Sequence, residues 1–469
     1  KYIYLYIDMK NVKDKLLPFQ IQHTENLIRN LKKNNSVLDA SDTGTGKTYC
    51  AIAACKILEY KPIVICTKST ITFWERICKY FEVKPFFIVN YETLKLGKYY
   101  DSNRNRINCP YISIKYNSDD SKNKIYYEFN IDEPNIIFIF DEVHKCYNLS
   151  TENGKLLYSA KLTNYPIMIL SATIADYPEK FRLFFWILNF IDPESVARDN
   201  IDFKKYMNIM TKWLIRDQKP MLRIYGMLYP NRASRMRIDS LGDLFPETQI
   251  IAEPYNIGKT REIEIEKQYS IIGQEMENLK KRAKTDKQNP LVNILRAHQK
   301  IEMIKVPIFV ELANDFMENN YHVVIFVNFT QTLELLAKYL KTESVLHGQQ
   351  SATEREEAIK NFNDNKTNII ICNIKMGTGI SLHDIHGNAP RVSLISPTWS
   401  SIELIQALGR IHRAGGKSKS LQRIIYAANT VEEKIADKLR IKLKDLNTIN
   451  NGDLDLTGIS NAVHFKKKF

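Results

Sequence analysis

Features that the sequence lacks narrow the class of protein. Its 469 residues include seven cysteines, and none is spaced as C-x-x-C, so neither a disulfide framework nor a structural zinc site is indicated. No apolar run approaches the roughly 18 residues that a membrane-spanning helix requires. The apolar segment 2–7 is too short and too alternating for a signal peptide. We therefore expect no membrane association, no structural zinc and a reducing intracellular compartment, either cytoplasm or nucleus.

The charge of the chain is biased toward one sign. It has 67 Lys and Arg against 53 Asp and Glu, a formal net charge of +14. Such an excess favours a polyanionic partner such as nucleic acid, and a well-solvated surface is the alternative explanation. A hydrophobic content of 44% is that of a globular chain, and the length is sufficient for two or three domains.

A glycine-rich loop lies between a predicted strand, 36–40, and an Ala-rich predicted helix, 49–58. The loop, 41–48, reads Ser-Asp-Thr-Gly-Thr-Gly-Lys-Thr. Strand, loop and helix in this order are the context that a phosphate-binding P-loop requires. We therefore predict nucleotide binding here, with an ordinary glycine turn as the alternative.

The residue types in the loop suit phosphate chemistry. Gly44 and Gly46 allow the backbone to turn so that successive N–H groups face the phosphates. Lys47 adds a positive charge, and the Thr48 hydroxyl can ligate Mg²⁺. Ser41 departs from the general motif, which has Gly or Ala at this position.

Two carboxylates, Asp141 and Glu142, follow a fully apolar predicted strand. Ligands of parallel sheets bind at the carboxyl ends of strands. Alone, such a pair is often a helix N-cap, but beside a P-loop Asp141 can hold Mg²⁺ and Glu142 can orient and deprotonate the attacking water. The next buried strand ends in Ser171 and Thr173, whose hydroxyls either relay the state of the Asp-Glu loop or simply cap a turn.

A second series of alternating strands and helices begins near Tyr321 and has no P-loop. Near its end a predicted helix, 401–408, is followed by Arg410 and Arg413. Two such arginines can stabilise the charge that develops during phosphoryl transfer at a neighbouring nucleotide site. The alternative is a basic helix end that the helix dipole favours.

Strands that alternate with helices predict a doubly wound parallel sheet in each series. Between the two series lie aromatic helices, a basic stretch at 223–237 and a long charged helical region. The basic stretch is either a nucleic-acid contact or a solvated face. The polar segment 104–128 is predicted as a loop or hairpin. We therefore predict an α/β protein with domain 1 at 1–190, a helical and basic insert at 191–305, and domain 2 at 306–469.

Taken in order, these motifs resemble the motor of superfamily 2 helicases and translocases, and specifically its Swi/Snf-like branch. The matching segments are D-T-G-T-G-K-T at 42–48, D-E-V-H at 141–144, S-A-T at 171–173 and Q-A-L-G-R-I-H-R at 406–413. D-E-V-H in place of the commoner D-E-G-H or D-E-A-H is similar to viral and phage DExH helicases, including poxvirus-type transcript-release helicases. The resemblance implies two RecA-like domains, with the helical insert between them, that close over Mg-ATP at their cleft.

The resemblance also implies roles for individual residues. ATP would be bound by Gln20, Thr43, Gly44, Thr45, Gly46, Lys47, Thr48 and Gly379, and Mg²⁺ by Thr48 and Asp141. The implied catalytic residues are Lys47, Glu142, Gln406, Arg410 and Arg413. Coupling of hydrolysis to movement is implied for His144, Ser171 and Thr173. Nucleic-acid contacts are implied for Lys68, Thr93, Asn328, His347, Thr378 and Trp399, each of which also has an ordinary core or loop role.

The leading hypothesis is an ATP-dependent nucleic-acid translocase that acts on double-stranded DNA. Its expected partners are transcription or repair proteins. If the protein is viral, its expected location is a virus factory or the virion. One alternative is an RNA-directed DExH helicase that acts in transcript release. Another is a nucleic-acid-binding scaffold that has lost turnover, which the intact Lys47, Glu142 and Arg413 argue against. A nucleotide kinase or GTPase is disfavoured by the second series, which lacks a P-loop.

Overall fold

The structure is a computed structural model with two compact units that divide between Gly242 and Asp243. Apart from isolated positions between 205 and 216, the described residues are 11–117, 124–172, 174–175, 178–190, 219–237, 248–281, 290–377, 380–398, 400–413 and 415–433.

Unit 1 is built on a six-stranded parallel sheet. Its strands are β1 (Ser36–Asp39), β2 (Lys61–Cys66), β3 (Phe87–Asn90), β8 (Ile136–Asp141), β9 (Ile167–Leu170) and β10 (Ala233–Ser234). Their spatial order is β10-β1-β9-β8-β2-β3. Between β3 and β8 the chain forms two antiparallel hairpins, so the segment predicted as a loop or hairpin is largely hairpin. The hairpin strands are β4 (Lys98–Tyr100), β5 (Arg106–Asn108), β6 (Ile112–Asn117) and β7 (Lys124–Phe129).

Helices cover both faces of this sheet. Because side chains alternate along a strand, Ile63 and Ile65 pack into one buried cluster while Val64 and Cys66 pack into another on the opposite face. The helices are α1 (Pro18–Asn34), α2 (Lys47–Leu58), α3 (Ile71–Tyr80), α4 (Tyr91–Leu94), α5 (Glu152–Leu162), α6 (Arg182–Ile187) and α7 (Pro220–Leu228). Short 3₁₀ turns occupy Lys68–Thr70, Val143–Cys146 and Pro178–Phe181.

Unit 2 repeats the architecture with a second six-stranded parallel sheet. Its strands are β11 (Thr248–Tyr255), β12 (His322–Val327), β13 (Val345–Leu346), β14 (Ile369–Asn373), β15 (Arg391–Ile395) and β16 (Ser420–Ala427). Their order is β11-β16-β15-β12-β14-β13. The helices are α8 (Lys259–Lys281), α9 (Pro290–Ile304), α10 (Val306–Glu318), α11 (Thr330–Tyr339), α12 (Ala352–Asn363) and α13 (Ser401–Leu408), with a 3₁₀ turn at Ile374–Gly377. Val324 and Phe326 face one core while Val323 and Ile325 face the other.

The prediction of an α/β protein with two doubly wound parallel sheets is confirmed. The predicted domain boundaries stay a prediction, and the described part of 191–305 is shared between the two units. Within it, β10 pairs with β1 in the first sheet, and β11 pairs with β16 in the second. A strand of two residues is too short to show an alternating pattern, and Pro254 interrupts the pattern of β11, so neither strand was predicted.

Two expected absences can be compared with the structure. All seven cysteines lie in described segments, where each is free and buried. Among the described helices, none combines the length and the apolar character needed to cross a bilayer.

Candidate active site

The motifs of unit 1 meet at one edge of its sheet. The P-loop follows β1, Ser171 follows β9, and Asp141 ends β8. These three strands are neighbours and run parallel, so their carboxyl ends lie side by side. Lys47 and Asp141 are 94 residues apart (141 − 47) and Asp141 and Ser171 are 30 apart (171 − 141), and the parallel topology brings them together.

Both glycines of the P-loop have backbone angles that favour glycine, with φ of +89° at Gly44 and +96° at Gly46. A Cβ atom at Gly46 would also clash with Gln20 Nε2. Gln20 donates from Nε2 to the Thr45 carbonyl at 2.9 Å, and its Oε1 accepts from the Leu17 N–H at 3.0 Å. Gln20 therefore packs against the P-loop, while its role in ATP binding stays a prediction.

Lys47 lies at the start of α2 with its ammonium folded onto the P-loop. Its Nζ donates to the carbonyl oxygens of Ser41 at 2.7 Å and Asp42 at 3.1 Å. Burial lowers the pKa of Lys47, and four carboxylates oppose that shift, those of Asp39, Glu142, Asp141 and Asp42. The positive charge of Lys47 thus lies among the acidic groups of the site. The same charge would attract a bound phosphate.

The threonines of the loop have different environments. Thr45 is buried, and its hydroxyl donates to the Asp42 carbonyl at 2.8 Å, which closes the turn. Thr43 and Thr48 are half-buried. Thr48 is the second residue of α2, the position from which the motif directs a hydroxyl toward the metal.

Asp141 is oriented by three hydrogen bonds at the end of β8. The indole N–H of Trp74 donates to Oδ2 at 3.0 Å, and the Glu142 N–H donates to Oδ1 at 3.0 Å. The Tyr91 hydroxyl donates to the Asp141 carbonyl at 2.7 Å. Burial, followed by the negative charge of Glu142, raises the pKa of Asp141 to about 6. Trp74 is fully buried on α3, so it can fix the direction of this carboxylate.

The donors present suit Mg²⁺ bound together with a nucleotide. Among the described residues, no group of three or more His, Cys, Asp or Glu side chains could hold a metal. Mg²⁺ is usually bound through one or two carboxylates, with waters and substrate phosphates completing its octahedron. Asp141 and Thr48 are a sufficient protein contribution of this kind.

Replacement of Trp74 with Phe tests the orientation of Asp141. The change keeps an aromatic ring in the core and removes the N–H that holds Oδ2. Loss of such a supporting partner typically weakens metal binding about 10- to 100-fold, so the half-saturating Mg²⁺ concentration for nucleotide binding should rise by about that factor. Trp186→Phe, a tryptophan on α6, is the matched control. An unchanged Mg²⁺ requirement in Trp74→Phe would show that the indole does not position the carboxylate.

Glu142 occupies the left-handed region, with φ of +54°. Such a conformation at a non-glycine residue costs of order 1–3 kcal/mol and is often found at functional sites. Glu142 Oε2 lies 3.3 Å from His144 Nδ1, and the same nitrogen lies 3.1 Å from Ser171 Oγ. His144 therefore links the carboxylate to the end of β9, and its coupling role stays a prediction. Thr173 lies outside the described residues.

A buried polar network lies beneath the P-loop, and the sequence did not predict it. His23 Nε2 lies 3.0 Å from Asp39 Oδ2 and 3.2 Å from Ser41 Oγ, while Nδ1 lies 2.9 Å from Ser234 Oγ. Burial is the largest influence on the pKa of Asp39 and would raise it, but the charge and hydrogen bond of His23, the charge of Lys47 and a hydrogen bond from Ser41 together lower it. One feature of the sequence could have indicated this network. Ser41 replaces the Gly or Ala of the common motif, and its hydroxyl contacts His23.

In unit 2 the two predicted arginines bind the same carbonyl group. Arg410 Nη1 and Arg413 Nη2 donate to the Ile380 oxygen at 3.2 and 2.8 Å. Arg410 is buried, as is Gln406 on α13, whereas Arg413 is half-buried. Gly379, the other residue predicted for this region, lies outside the described residues.

Two of the predicted nucleic-acid contacts belong to unit 1. Lys68 is exposed at the first residue of a 3₁₀ turn after β2. Thr93 is buried, and its hydroxyl lies 3.1 Å from that of Tyr100 on the first hairpin. Lys68 is thus free to contact a strand at the surface, while the structure gives Thr93 an internal partner.

The other predicted contacts belong to unit 2. Asn328 follows β12 and donates from Nδ2 to Glu302 Oε1 at 2.8 Å and to the Pro397 carbonyl at 3.0 Å. His347 is half-buried after β13. Thr378 and Trp399 lie outside the described residues. These nucleic-acid roles all stay predictions.

Comparison with known proteins places the chain in a family. Residues 13–176 match the family described as "Type III restriction enzyme, res subunit", and residues 304–415 match "Helicase conserved C-terminal domain". A protein of Acanthamoeba polyphaga mimivirus, named "Putative ATP-dependent RNA helicase", is 40% identical over 459 residues, which cover 94% of this chain and 84% of that protein.

More distant relatives are chromatin regulators. The human SWI/SNF-related matrix-associated actin-dependent regulator of chromatin subfamily A member 1 is 26% identical over 65% of this chain, and the match spans 31% of its own length. The Sulfolobus solfataricus SWI2/SNF2 ATPase core solved with double-stranded DNA aligns over 93% of both chains, with 15% identity and a TM-score of 0.35. The family assignment rests on the sequence matches. The chain belongs to the superfamily 2 helicases, a family of ATP-hydrolysing enzymes, with relatives in a large DNA virus and among Swi/Snf-type chromatin regulators.

Proposed function

We propose that this protein is an ATP-dependent translocase that moves on double-stranded DNA and couples Mg-ATP hydrolysis to remodelling or unwinding. The observation that carries the proposal is the meeting of Lys47, Asp141 and Glu142 at the carboxyl edge of one parallel sheet. A phosphate-binding lysine, a metal-binding carboxylate and a base at one edge are the groups that nucleotide hydrolysis needs.

Each of these groups has a defined task. The N–H groups of the P-loop and Lys47 bind the phosphates, and Thr48 with Asp141 holds Mg²⁺. Mg²⁺ held by these two residues would neutralise negative charge on the phosphates. Glu142 accepts a proton from the attacking water, and His144 keeps its carboxylate in place through their contact. Arg410 and Arg413 stabilise the charge on the γ-phosphate during transfer, and Gln406 supports them from α13.

Two observations bear on the nucleic acid. The net charge of +14 suits a polyanion, and the chromatin-regulator relatives favour duplex DNA as the track, with transcription or repair proteins as partners. The mimivirus relative, at 40% identity, is named as an RNA helicase, which supports an RNA-directed activity as the second candidate. Both candidates use the same ATP site.

The test compares ATP hydrolysis without nucleic acid and with duplex DNA, single-stranded DNA, single-stranded RNA and duplex RNA. We expect duplex DNA to raise turnover at least tenfold and the other nucleic acids to raise it less, because coupling requires the track to bind the closed enzyme more tightly than the open one. Lys47→Ala should be inactive throughout, which excludes a contaminating ATPase. Greatest stimulation by RNA would select the second candidate, and no stimulation by any of these nucleic acids would overturn both.

A further inference from the structure

A short segment that the P-loop motif does not include runs beside the P-loop in unit 1. Residues 232–236, which we call the flanking segment, contain β10 and continue past the end of β1. The Leu38 N–H donates to the Arg232 carbonyl at 3.0 Å and the Ala40 N–H to the Ser234 carbonyl at 2.9 Å. The flanking segment thus pairs with the chain that leads into the P-loop.

The pairing continues into the P-loop itself. The Asp42 N–H donates to the Met236 carbonyl at 3.0 Å, and the Met236 N–H donates to Ser41 Oγ at 2.9 Å. The second bond needs a side-chain acceptor at position 41, which the Gly or Ala of the common motif would not provide. Ser41 therefore attaches the P-loop to the flanking segment on the side opposite β9.

A charged contact completes the attachment. Arg235 donates from Nε to Asp42 Oδ1 at 3.2 Å, and its Nη2 binds the same oxygen. The Arg235 side chain is 10% exposed and that of Asp42 is 23% exposed, so the pair is largely removed from water. Partial burial makes such a contact stronger and more directional than a surface ion pair.

The residues that the flanking segment holds are also those that position Lys47, because the ammonium binds the carbonyl oxygens of Ser41 and Asp42. We propose that Arg235 is a positioning residue for ATP binding, which keeps the first half of the P-loop and Lys47 ready for phosphate through its contact with Asp42. The inference rests on the proposed ATP site. Arg235 itself does not need to touch the nucleotide.

The test is a double-mutant cycle on Arg235 and Asp42. The dissociation constant of a fluorescent ATP analogue with Mg²⁺ is measured for the parent, Arg235→Ala, Asp42→Ala and the double variant, together with KM and kcat for ATP. We expect each single change to weaken binding about tenfold and the double change to weaken it no further, because both remove one contact. KM should rise more than kcat falls, and Arg235→Lys should recover part of the affinity.

Arg232→Ala is the matched control. Arg232 lies in the same flanking segment, but it donates to the carbonyl oxygens of Leu188 and Asn189 and packs on Phe190. Its loss should lower the unfolding temperature without changing ATP affinity. Asp42→Asn repeats the measurement if an alanine variant does not fold.

Two results would overturn the inference: parental affinity in Arg235→Ala, or losses from the two single changes that multiply in the double variant. Failure of the ATP site itself has a different signature, since the parent would then not bind the analogue, or Lys47→Ala would bind it equally well.

Discussion

Replacement of Glu142 with Gln is expected to lower ATP turnover about a thousandfold, within the 100- to 10,000-fold range usual for a general base. The amide keeps the size of the side chain and its contact with His144 but cannot accept a proton from water. The P-loop and Lys47 stay in place, and loss of a negative charge near Lys47 does not weaken its attraction for phosphate, so the dissociation constant for Mg-ATP should not rise. Single-turnover hydrolysis and equilibrium nucleotide binding separate the two effects.

Glu133→Gln is the matched control for this experiment. Glu133 is partly exposed before β8 and pairs with Lys61 on the surface, so its charge is far from the carboxyl edge of the sheet. That variant should keep parental turnover. If Glu142→Gln also hydrolysed ATP at the parental rate, another group would have to be the base, and the assignment of the Asp141-Glu142 pair would fail.

Arg413→Ala is expected to reduce kcat by about three orders of magnitude, the lower end of the effect known for an arginine that stabilises phosphoryl transfer. Because its contribution arises in the transition state, ATP binding should be nearly unchanged. Arg410→Ala should also be slow, but its side chain is buried and its loss should in addition lower the stability of unit 2. The measurements are kcat, nucleotide affinity and thermal unfolding.

Arg423→Ala provides a comparison within the same unit. Arg423 donates to the Tyr255 hydroxyl at 3.1 Å and packs over Phe316, and the sequence gives it no catalytic role. It should keep the parental kcat. Arg413→Lys should recover little of the lost kcat, because an ammonium cannot form the bidentate hydrogen bonds of a guanidinium group. Full activity in Arg413→Ala would exclude a role in hydrolysis and leave the residue as a support for the Ile380 loop.

Local pattern was sufficient to predict much of the fold. β2 and β8 are nearly continuous apolar runs because both faces of a parallel strand are buried, and such runs stand out in the sequence. The P-loop was recognisable because its glycines have to adopt positive φ. The resemblance of the motifs to superfamily 2 helicases was confirmed by the mimivirus relative.

What the sequence did not predict depends on contacts between distant segments. Arg235 and Asp42 are 193 residues apart, and nothing in the local pattern of the basic stretch distinguishes Arg235 from Arg232. The hydrogen bond from Trp74 to Asp141 likewise depends on how α3 packs on the sheet. The resemblance implied a nucleic-acid contact for Thr93, and it did not indicate that the side chain is buried.

The position of β10 has a consequence for biosynthesis. Domains fold as the chain leaves the ribosome, at about 5–20 residues per second, with N-terminal parts appearing first. The P-loop appears early, yet its partner Arg235 follows 193 residues later. A nascent chain that has completed the other five strands of the first sheet therefore still lacks the edge that supports phosphate binding. We therefore expect nucleotide binding to stabilise the completed unit 1 more than its truncated precursors.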